Sequence, residues 1–321
     1  MNDQLNTPIL FIVFNRPETT SKVFEVIKKV RPKRFYIAAD GARLDKNDEL
    51  KKVELVRKIA TSVDWPCEVK TLFSDFNLGM KIAESKAMTW FFENEKEGII
   101  LEDDTLPHLD FFLFCELLLN KYRDNKKVLT ISGANFQNKS KRGLNSYYCS
   151  KYFHGWGWAS WRRTWNLYDE KIKFWPNWKN STEWVNKCPD KIERRYWTKI
   201  FDKVYENKID TWDYQFVASL WYKGKGGFNL IPNTNLITNI GFGKIATHTT
   251  NFTDRRSLIP IKSIGDITHP KNLRQCLVAD KYSFDNVFGG WKLRLPWSLF
   301  YLIIRILKFC FKKFKLLLIK D

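Results

Sequence analysis

Gly98-Ile99-Ile100-Leu101-Glu102-Asp103-Asp104 is the stretch that decides the reading of this chain. A short apolar run ends abruptly in three carboxylates. The run predicts a parallel strand, buried on both faces, that delivers its acids to the edge of a sheet. Like charges held together repel, so such an edge calls for a compensating charge. The usual one is a divalent cation on hard oxygen ligands, and a strand-end carboxylate with its metal can neutralise a pyrophosphate. The alternative is a solvated acidic turn after a strand.

The residues around this stretch alternate strand and helix signals, which predicts an α/β sheet with helical crossovers. Strands are expected at Pro8–Phe14, Arg34–Ala39, Cys67–Phe73, Gly98–Leu101 and Val128–Ser132. Helices are expected at Glu18–Val30, Asp45–Thr61, Lys81–Phe92 and Leu109–Lys121. Three of the strands end in residues suited to a nucleotide: Asn15-Arg16, Asp40-Gly41 and Glu102-Asp103-Asp104. Open α/β sheets bind ligands beyond the carboxyl ends of their strands. No Gly-x-Gly-x-x-Gly follows the first strand and no Walker A motif occurs, which excludes the common dinucleotide and P-loop signatures.

The second half differs. Tyr152-Phe153-His154-Gly155-Trp156-Gly157-Trp158-Ala159-Ser160-Trp161-Arg162 mixes aromatic rings with glycine. Flat rings can stack on a sugar, and glycine lets backbone approach a ligand; the alternative is a tryptophan-rich core. Thr211-Trp212-Asp213-Tyr214-Gln215-Phe216 sets an acid in an aromatic frame. An apolar setting raises a carboxyl's pKa, as a general base requires; the alternative is a helix-capping aspartate. Asn229-Leu230-Ile231-Pro232 reads as a strand, and Gly241-Phe242-Gly243 as the hinge of a loop that closes over a phosphate.

The chain has 321 residues and a formal net charge of +19. Such a charge seeks polyanions: nucleic acid, anionic lipid or a phosphorylated substrate. No nucleic-acid motif is present, which argues against nucleic acid as the partner. The six cysteines form no CxxC pair and read as reduced thiols, and the four scattered histidines argue against a zinc site. The N-terminus offers no secretory signal pattern. Residues 291–321 mix apolar side chains with Arg305, Lys308, Lys312, Lys313 and Lys315. Their uninterrupted apolar part, Leu299–Ile304, is far shorter than the roughly 20 residues that span a bilayer. The expectation is a basic amphipathic helix on an anionic membrane surface, with the protein cytoplasmic and peripheral on the inner face of the cell membrane; the alternative is a helix packed on the domain.

Taken in order, the strand before Arg16, the strand before Asp40-Gly41, Ile100-Leu101-Glu102-Asp103-Asp104, Leu109-Asp110-Phe111-Phe112, Gly157-Trp158, Trp212-Asp213, Ile231-Pro232 and Gly241-Phe242-Gly243 resemble the GT-A-fold glycosyltransferases. The pattern is similar to that of the β-1,2-N-acetylglucosaminyltransferase I family and its bacterial surface-polysaccharide relatives, from about Ile9 to His248. The resemblance implies a Rossmann-like mixed sheet flanked by helices, followed by the C-terminal basic amphipathic helix. Residues 1–255 would be the transferase domain, with 1–135 its nucleotide-sugar half and 136–255 its acceptor and catalytic half. Residues 256–290 would connect it to the tail.

The resemblance also implies roles. Arg16, Asp40, Glu102 and Asp103 would bind the nucleotide-sugar, with Asp40 on the uracil edge. Asp104 would ligate Mn2+ (or Mg2+). Asp213 would be the catalytic base of an inverting transfer, with Asp169 or Glu170 as its fallback. Trp156, Trp158 and Trp212 would wall the acceptor or donor sugar. Apart from the resemblance, the glycine-bounded loop itself suggests Gly243, Lys244 and His248 as a diphosphate loop. The implied donor is a UDP-linked hexose or N-acetylhexosamine, and the implied acceptor is a saccharide, lipid-linked if the tail binds membrane. Where the family places a histidine near the donor, this chain has Glu84-Ser85. Two other readings stand beside this one: a non-catalytic basic protein binding membrane or nucleic acid, and a sugar nucleotidyltransferase. The latter would need a glycine-rich phosphate loop where this chain has Asn15-Arg16-Pro17-Glu18.

Overall fold

The structure, a computed structural model, describes residues 4–138, 140–241, 259–300 and 307. The chain opens with β1 (Ile9–Val13), α1 (Pro17–Val30), β2 (Arg34–Ala39), α2 (Glu49–Ala60), β3 (Glu68–Phe73), α3 (Met80–Asn94) and β4 (Glu97–Glu102). It continues through β5 (Thr105–Pro107), α4 (Leu109–Tyr122), β6 (Val128–Ser132), β7 (Tyr147–Ser150) and β8 (Trp158–Trp161). A helical stretch follows: α5 (Arg162–Trp165), α6 (Trp175–Trp178), α7 (Thr182–Lys187), α8 (Lys191–Tyr205) and α9 (Asp213–Lys223). The described elements end with β9 (Phe228–Pro232), β10 (Ile237–Asn239), α10 (Leu277–Asn286) and a 3-10 turn at Gly290–Leu293.

Eight strands form one mixed sheet in the order β3-β2-β1-β4-β8-β6-β9-β7, and β10 pairs with β5 in a small second sheet. β3, β2, β1 and β4 are mutually parallel. β8 enters antiparallel between β4 and β6, and β7 closes the edge antiparallel to β9. This is a Rossmann-like mixed α/β fold, as expected.

Strand periodicity explains the layers. Alternate side chains leave a strand on opposite faces. Ile9, Phe11, Val13, Phe35, Ile37, Ile99 and Leu101 enter one core with Phe24 of α1, Val56 of α2 and Leu118 of α4. Leu10, Tyr36, Ala38 and Ile100 enter the other with Phe91 of α3, Trp197 of α8 and Phe216 of α9. Both faces of β1, β2 and β4 are therefore covered, which accounts for their continuous apolar runs.

Helix α2 starts later than the charge pattern suggested. Asp48 takes a left-handed conformation before it, and Glu49 turns inward to bind Asn15 and Arg43. The stretch expected as a connector supplies α10, and Gln275 just before it bridges to Cys149 of β7. No helix among the described residues is long and apolar enough to cross a membrane. The expected amphipathic helix falls mostly in residues 301–321, outside the described set apart from residue 307.

Candidate functional site

From β1 the chain crosses to β2 and β3 on one side, then returns to place β4 on the other side of β1. The crevice beyond the carboxyl ends of β1 and β4 is therefore a topological switch point, where such sheets bind ligands. The register pairs Ile12 with Glu102, so the ends of the two strands are level. Arg16 follows β1, and Asp103 and Asp104 follow β4. The β1–α1 turn is only Phe14-Asn15-Arg16, because Pro17 opens the helix with its φ preset and no N–H to lose.

Arg16 fills the crevice. Its Nη2 lies 2.6 Å from Asp103 Oδ1, and its Nη1 lies 2.6 Å from Asp104 Oδ2. Asp103 Oδ2 also accepts the Phe14 backbone N–H at 3.1 Å, which ties β1 to the acidic turn. Thr105 closes that turn by accepting the Glu102 N–H and donating to the Glu102 carbonyl. The other oxygen of Asp104, Oδ1, is buried and has no hydrogen-bond partner among the described residues. A buried carboxylate oxygen left this way is costly unless a further cation or donor arrives.

The acids share too little positive charge. Burial, opposed by Arg16 and then reinforced by Asp104, pushes Asp103 up to about 7. Burial and the charges of Glu84 and Asp104 raise Glu102 well above the usual carboxylate range. Arg16 stays charged: burial acts against it, but Asp103 and Asp104 outweigh that and raise its pKa.

Glu84, on the second turn of α3, completes the cluster. Its Oε2 accepts the indole N–H of Trp212. Burial, opposed by that bond and reinforced by Asp104, Asp213 and Asp103, pushes it up to about 8. Asp213, the first residue of α9, accepts from Thr211 Oγ1 and from the Tyr214 backbone N–H at 2.7 Å. It is thus a first-turn acid, favoured by the helix dipole, with Trp212 as the cap residue. The Trp212-Asp213 pair and Glu84 join the second half of the chain to the acidic edge. Glu84 entered the sequence reading only as a departure from the family pattern. Its signal was an acid in a helix otherwise heading into the core.

Gly241 lies directly on the Arg16–Asp104 pair. A Cβ there would overlap Asp104 Oδ2 and meet Arg16 Nη1 at 2.6 Å. The antiparallel β5–β10 pair brings it there: Ile240 N–H bonds the Asp104 carbonyl at 2.8 Å, and Gly241 N–H bonds Asn239 Oδ1 at 2.8 Å. The expected diphosphate residues Gly243, Lys244 and His248 follow in sequence but lie outside the described residues.

Other expectations need correction. Asp40 is not an open carboxylate. It accepts from the backbone of Gly41, Leu78 and Gly79 and from Asn77 Nδ2, which fills its acceptor positions and clamps the turn before α3. Trp158 and Trp212 are 1% and 5% exposed and stack on each other at 6.1 Å, so they belong to the core rather than to an open wall. Such rings bury too much area to stay solvated when a partner is near. Trp156 is half-buried, edge-on to Phe136. Of the fallback bases, Asp169 pairs with Lys223 at the far end of α9, and Glu170 lies 3.6 Å from Lys81.

Among the described residues no group of three or more His, Cys, Asp or Glu forms a metal cage. Mg2+ and similar ions, however, are often held by one or two carboxylates with the rest supplied by water and substrate phosphates. The orphaned Asp104 Oδ1 fits that smaller role.

No protein-family model matches the sequence, and no curated protein matches it. Among solved structures, the chain is similar to a UTP-bound UGPase from Acinetobacter baumannii, with 8% identity, TM-score 0.37, and coverage of 71% of this chain and 85% of that one. It is similar to a UDP-glucose pyrophosphorylase complexed with UDP-glucose, with 11% identity, TM-score 0.35, and coverage of 71% and 90%. It is also similar to HddC from Yersinia pseudotuberculosis, with 10% identity, TM-score 0.29, and coverage of 49% and 77%. Similarity of this degree does not extend to activity.

Proposed function

We propose that this chain acts on a nucleotide-diphosphate sugar and, within that class, is a metal-dependent glycosyltransferase of bacterial surface-polysaccharide or glycolipid synthesis. The observation that carries the reading is the cluster at the switch point. An excess of carboxylates, one guanidinium and an orphaned Asp104 oxygen sit where an α/β sheet binds nucleotides. A divalent cation on Asp104 would offset charge on the leaving diphosphate. Arg16 would add a fixed positive charge beside it.

Asp213 would take the proton of an acceptor hydroxyl as the sugar is transferred. Such general-base help is typically worth roughly 10²–10⁴-fold. Its backbone and hydroxyl partners fix its orientation, and Trp212 couples it to Glu84. The donor is proposed to be UDP-linked and the acceptor a saccharide, with the enzyme peripheral on the inner membrane face.

Sugar nucleotidyl transfer is the competing reaction at the same edge, the activity named for the pyrophosphorylases above. The three-residue β1–α1 turn offers no glycine-rich cradle for a triphosphate, which favours transfer to a hydroxyl. One assay separates them. With UDP-sugars, saccharide acceptors and Mn2+, the proposed enzyme releases UDP only when acceptor is present, and Asp104→Ala and Asp213→Asn abolish release while staying folded. Formation of UTP from UDP-sugar and pyrophosphate would replace this reading with nucleotidyl transfer. Full activity in Asp213→Asn would remove the base assignment.

A further inference from the structure

A cavity of about 1050 Å³ opens between α7, the start of α8, the end of α9 and α10. It is remote from the acidic edge. β9 runs parallel to β6, and β6 shares the direction of β4 through antiparallel β8, so the start of β9 lies at the opposite end of the sheet from Glu102. Helix α9 separates Asp213 from the lining residue Lys223 by about 15 Å at 1.5 Å per residue.

The lining is basic. Lys151, Lys187, Lys223, Lys225, Lys281 and Arg294 face it, against Glu183, Asp190, Glu193 and Asp280. Four of the six cations are ion-paired: Lys151 with Glu193 at 2.8 Å, Arg294 with Asp190 at 2.6 Å, and, with acids not among the lining residues, Lys281 with Asp285 at 2.6 Å and Lys223 with Asp169 at 3.4 Å. Asp280 accepts from Ser150 Oγ and Gln275 Nε2. Among the described residues neither Lys187 nor Lys225 has a carboxylate within ion-pair distance. Burial, then the neighbouring Lys151 charge, pushes the Lys187 ammonium down to about 8, so an anion there would be welcome.

One stretch beside the cavity is apolar and exposed, and Leu277 of that stretch lines it. Leu277 and Val278, at the start of α10, are 71% and 66% exposed. Arg294 anchors the next segment at the cavity through Asp190 and Asp285, and Leu295, Trp297 and Phe300 directly after it are exposed as well. The basic, apolar residues 301–321 continue from this point. Soluble proteins seldom expose several large apolar side chains together, whereas lipid surfaces receive them beside lysines.

We propose that this cavity takes the anionic phosphate headgroup of a membrane lipid, with Leu277, Val278, Leu295, Trp297 and Phe300 entering the acyl boundary around it. The folded domain, and not the tail alone, then docks on the bilayer. The inference is independent of the reaction at the acidic edge.

The test is co-sedimentation of the full chain with phosphatidylcholine vesicles, with and without phosphatidylglycerol. Variants are K187Q/K225Q/K281Q in the cavity and, as a charge-matched control, K51Q/K52Q/K58Q on α2, which packs near β1 and β2. A lysine at an anionic surface is worth about fivefold in binding, so the cavity variant should bind phosphatidylglycerol vesicles ~100-fold more weakly. The α2 control should change by less than about threefold, and Leu277→Asp should weaken binding without altering the melting temperature. Equal losses in both triple variants would show diffuse charge rather than a site and overturn the proposal. Unchanged binding by the cavity variant, or no preference for phosphatidylglycerol in the native chain, would overturn it too.

Discussion

Replacing Arg16 with methionine removes the only cation ion-paired to Asp103 and Asp104 among the described residues, and the cost should depend on pH in a calculable direction. Asp103 is 2% exposed, and it holds its proton up to about 7 even with Arg16 beside it. At pH 8 the native pair is ionised, and the variant must leave a buried carboxylate unpaired or keep it protonated. Breaking a buried pair in this way costs about 3–5 kcal/mol. At pH 5 Asp103 is already protonated, so Arg16→Met no longer strands that charge; only the Asp104 pair is broken, and the cost should be smaller than at pH 8. Adding Asp103→Asn at pH 8 removes the stranded charge, so the double variant should recover part of the loss. The assay is urea unfolding at both pH values, run as a double-mutant cycle without divalent metal. A destabilisation independent of pH, or strict additivity at pH 8, would refute the electrostatic account of this crevice.

The native chain carries the same signature more weakly. Glu84 and Asp103 have folded pKa values raised above their unfolded ones, so their favourable contribution is present below about pH 4 and is lost as pH rises through about 7 to 8. Metal-free protein should therefore lose melting temperature across that window, and Glu84→Gln should flatten the slope. Gly241→Ala would push a methyl group onto the Arg16–Asp104 pair. It should weaken metal-dependent nucleotide binding about tenfold while unfolding within about 3 kcal/mol of the native chain, as read by calorimetry and urea titration. In the opposite direction, Glu49 is held down to about 2, first by its Arg43 partner, so its contribution is present above about pH 4.5 and is lost as pH falls toward 2. Glu49→Gln should then remove part of the acid-unfolding transition followed by circular dichroism.

The sequence was legible where local pattern and burial agree. β1, β2 and β4 are apolar runs ended by polar residues, and each was found within one or two positions. The acids after β4 pointed to a candidate site because three carboxylates behind such a run call for a compensating charge, and the structure buries Asp103 and Asp104 there against Arg16. The antiparallel β7 and β8 were missed. Each has four residues, and in β8 the flanking tryptophans read as a ligand surface when they are core. Glu84 was hard to read as a site residue: its one local signal was an acid in a core-bound helix, a helical glutamate usually faces water, and its partner Trp212 is 128 residues away. Asp40 stands at the end of β2, as read, but its acceptor positions are taken by the turn at Asn77–Gly79, which the local sequence does not show. In each miss, a tertiary partner distant in sequence overrode the local signal.

Thermal-shift binding of UDP, GDP, CMP, dTDP and ADP, each with and without Mn2+, tests the central claim most directly. A ligand that binds only the folded state raises its melting temperature by mass action. The account predicts a shift with UDP that requires Mn2+ and disappears in Asp104→Ala. No shift with any nucleotide, or an equal shift without metal and in Asp104→Ala, would contradict it.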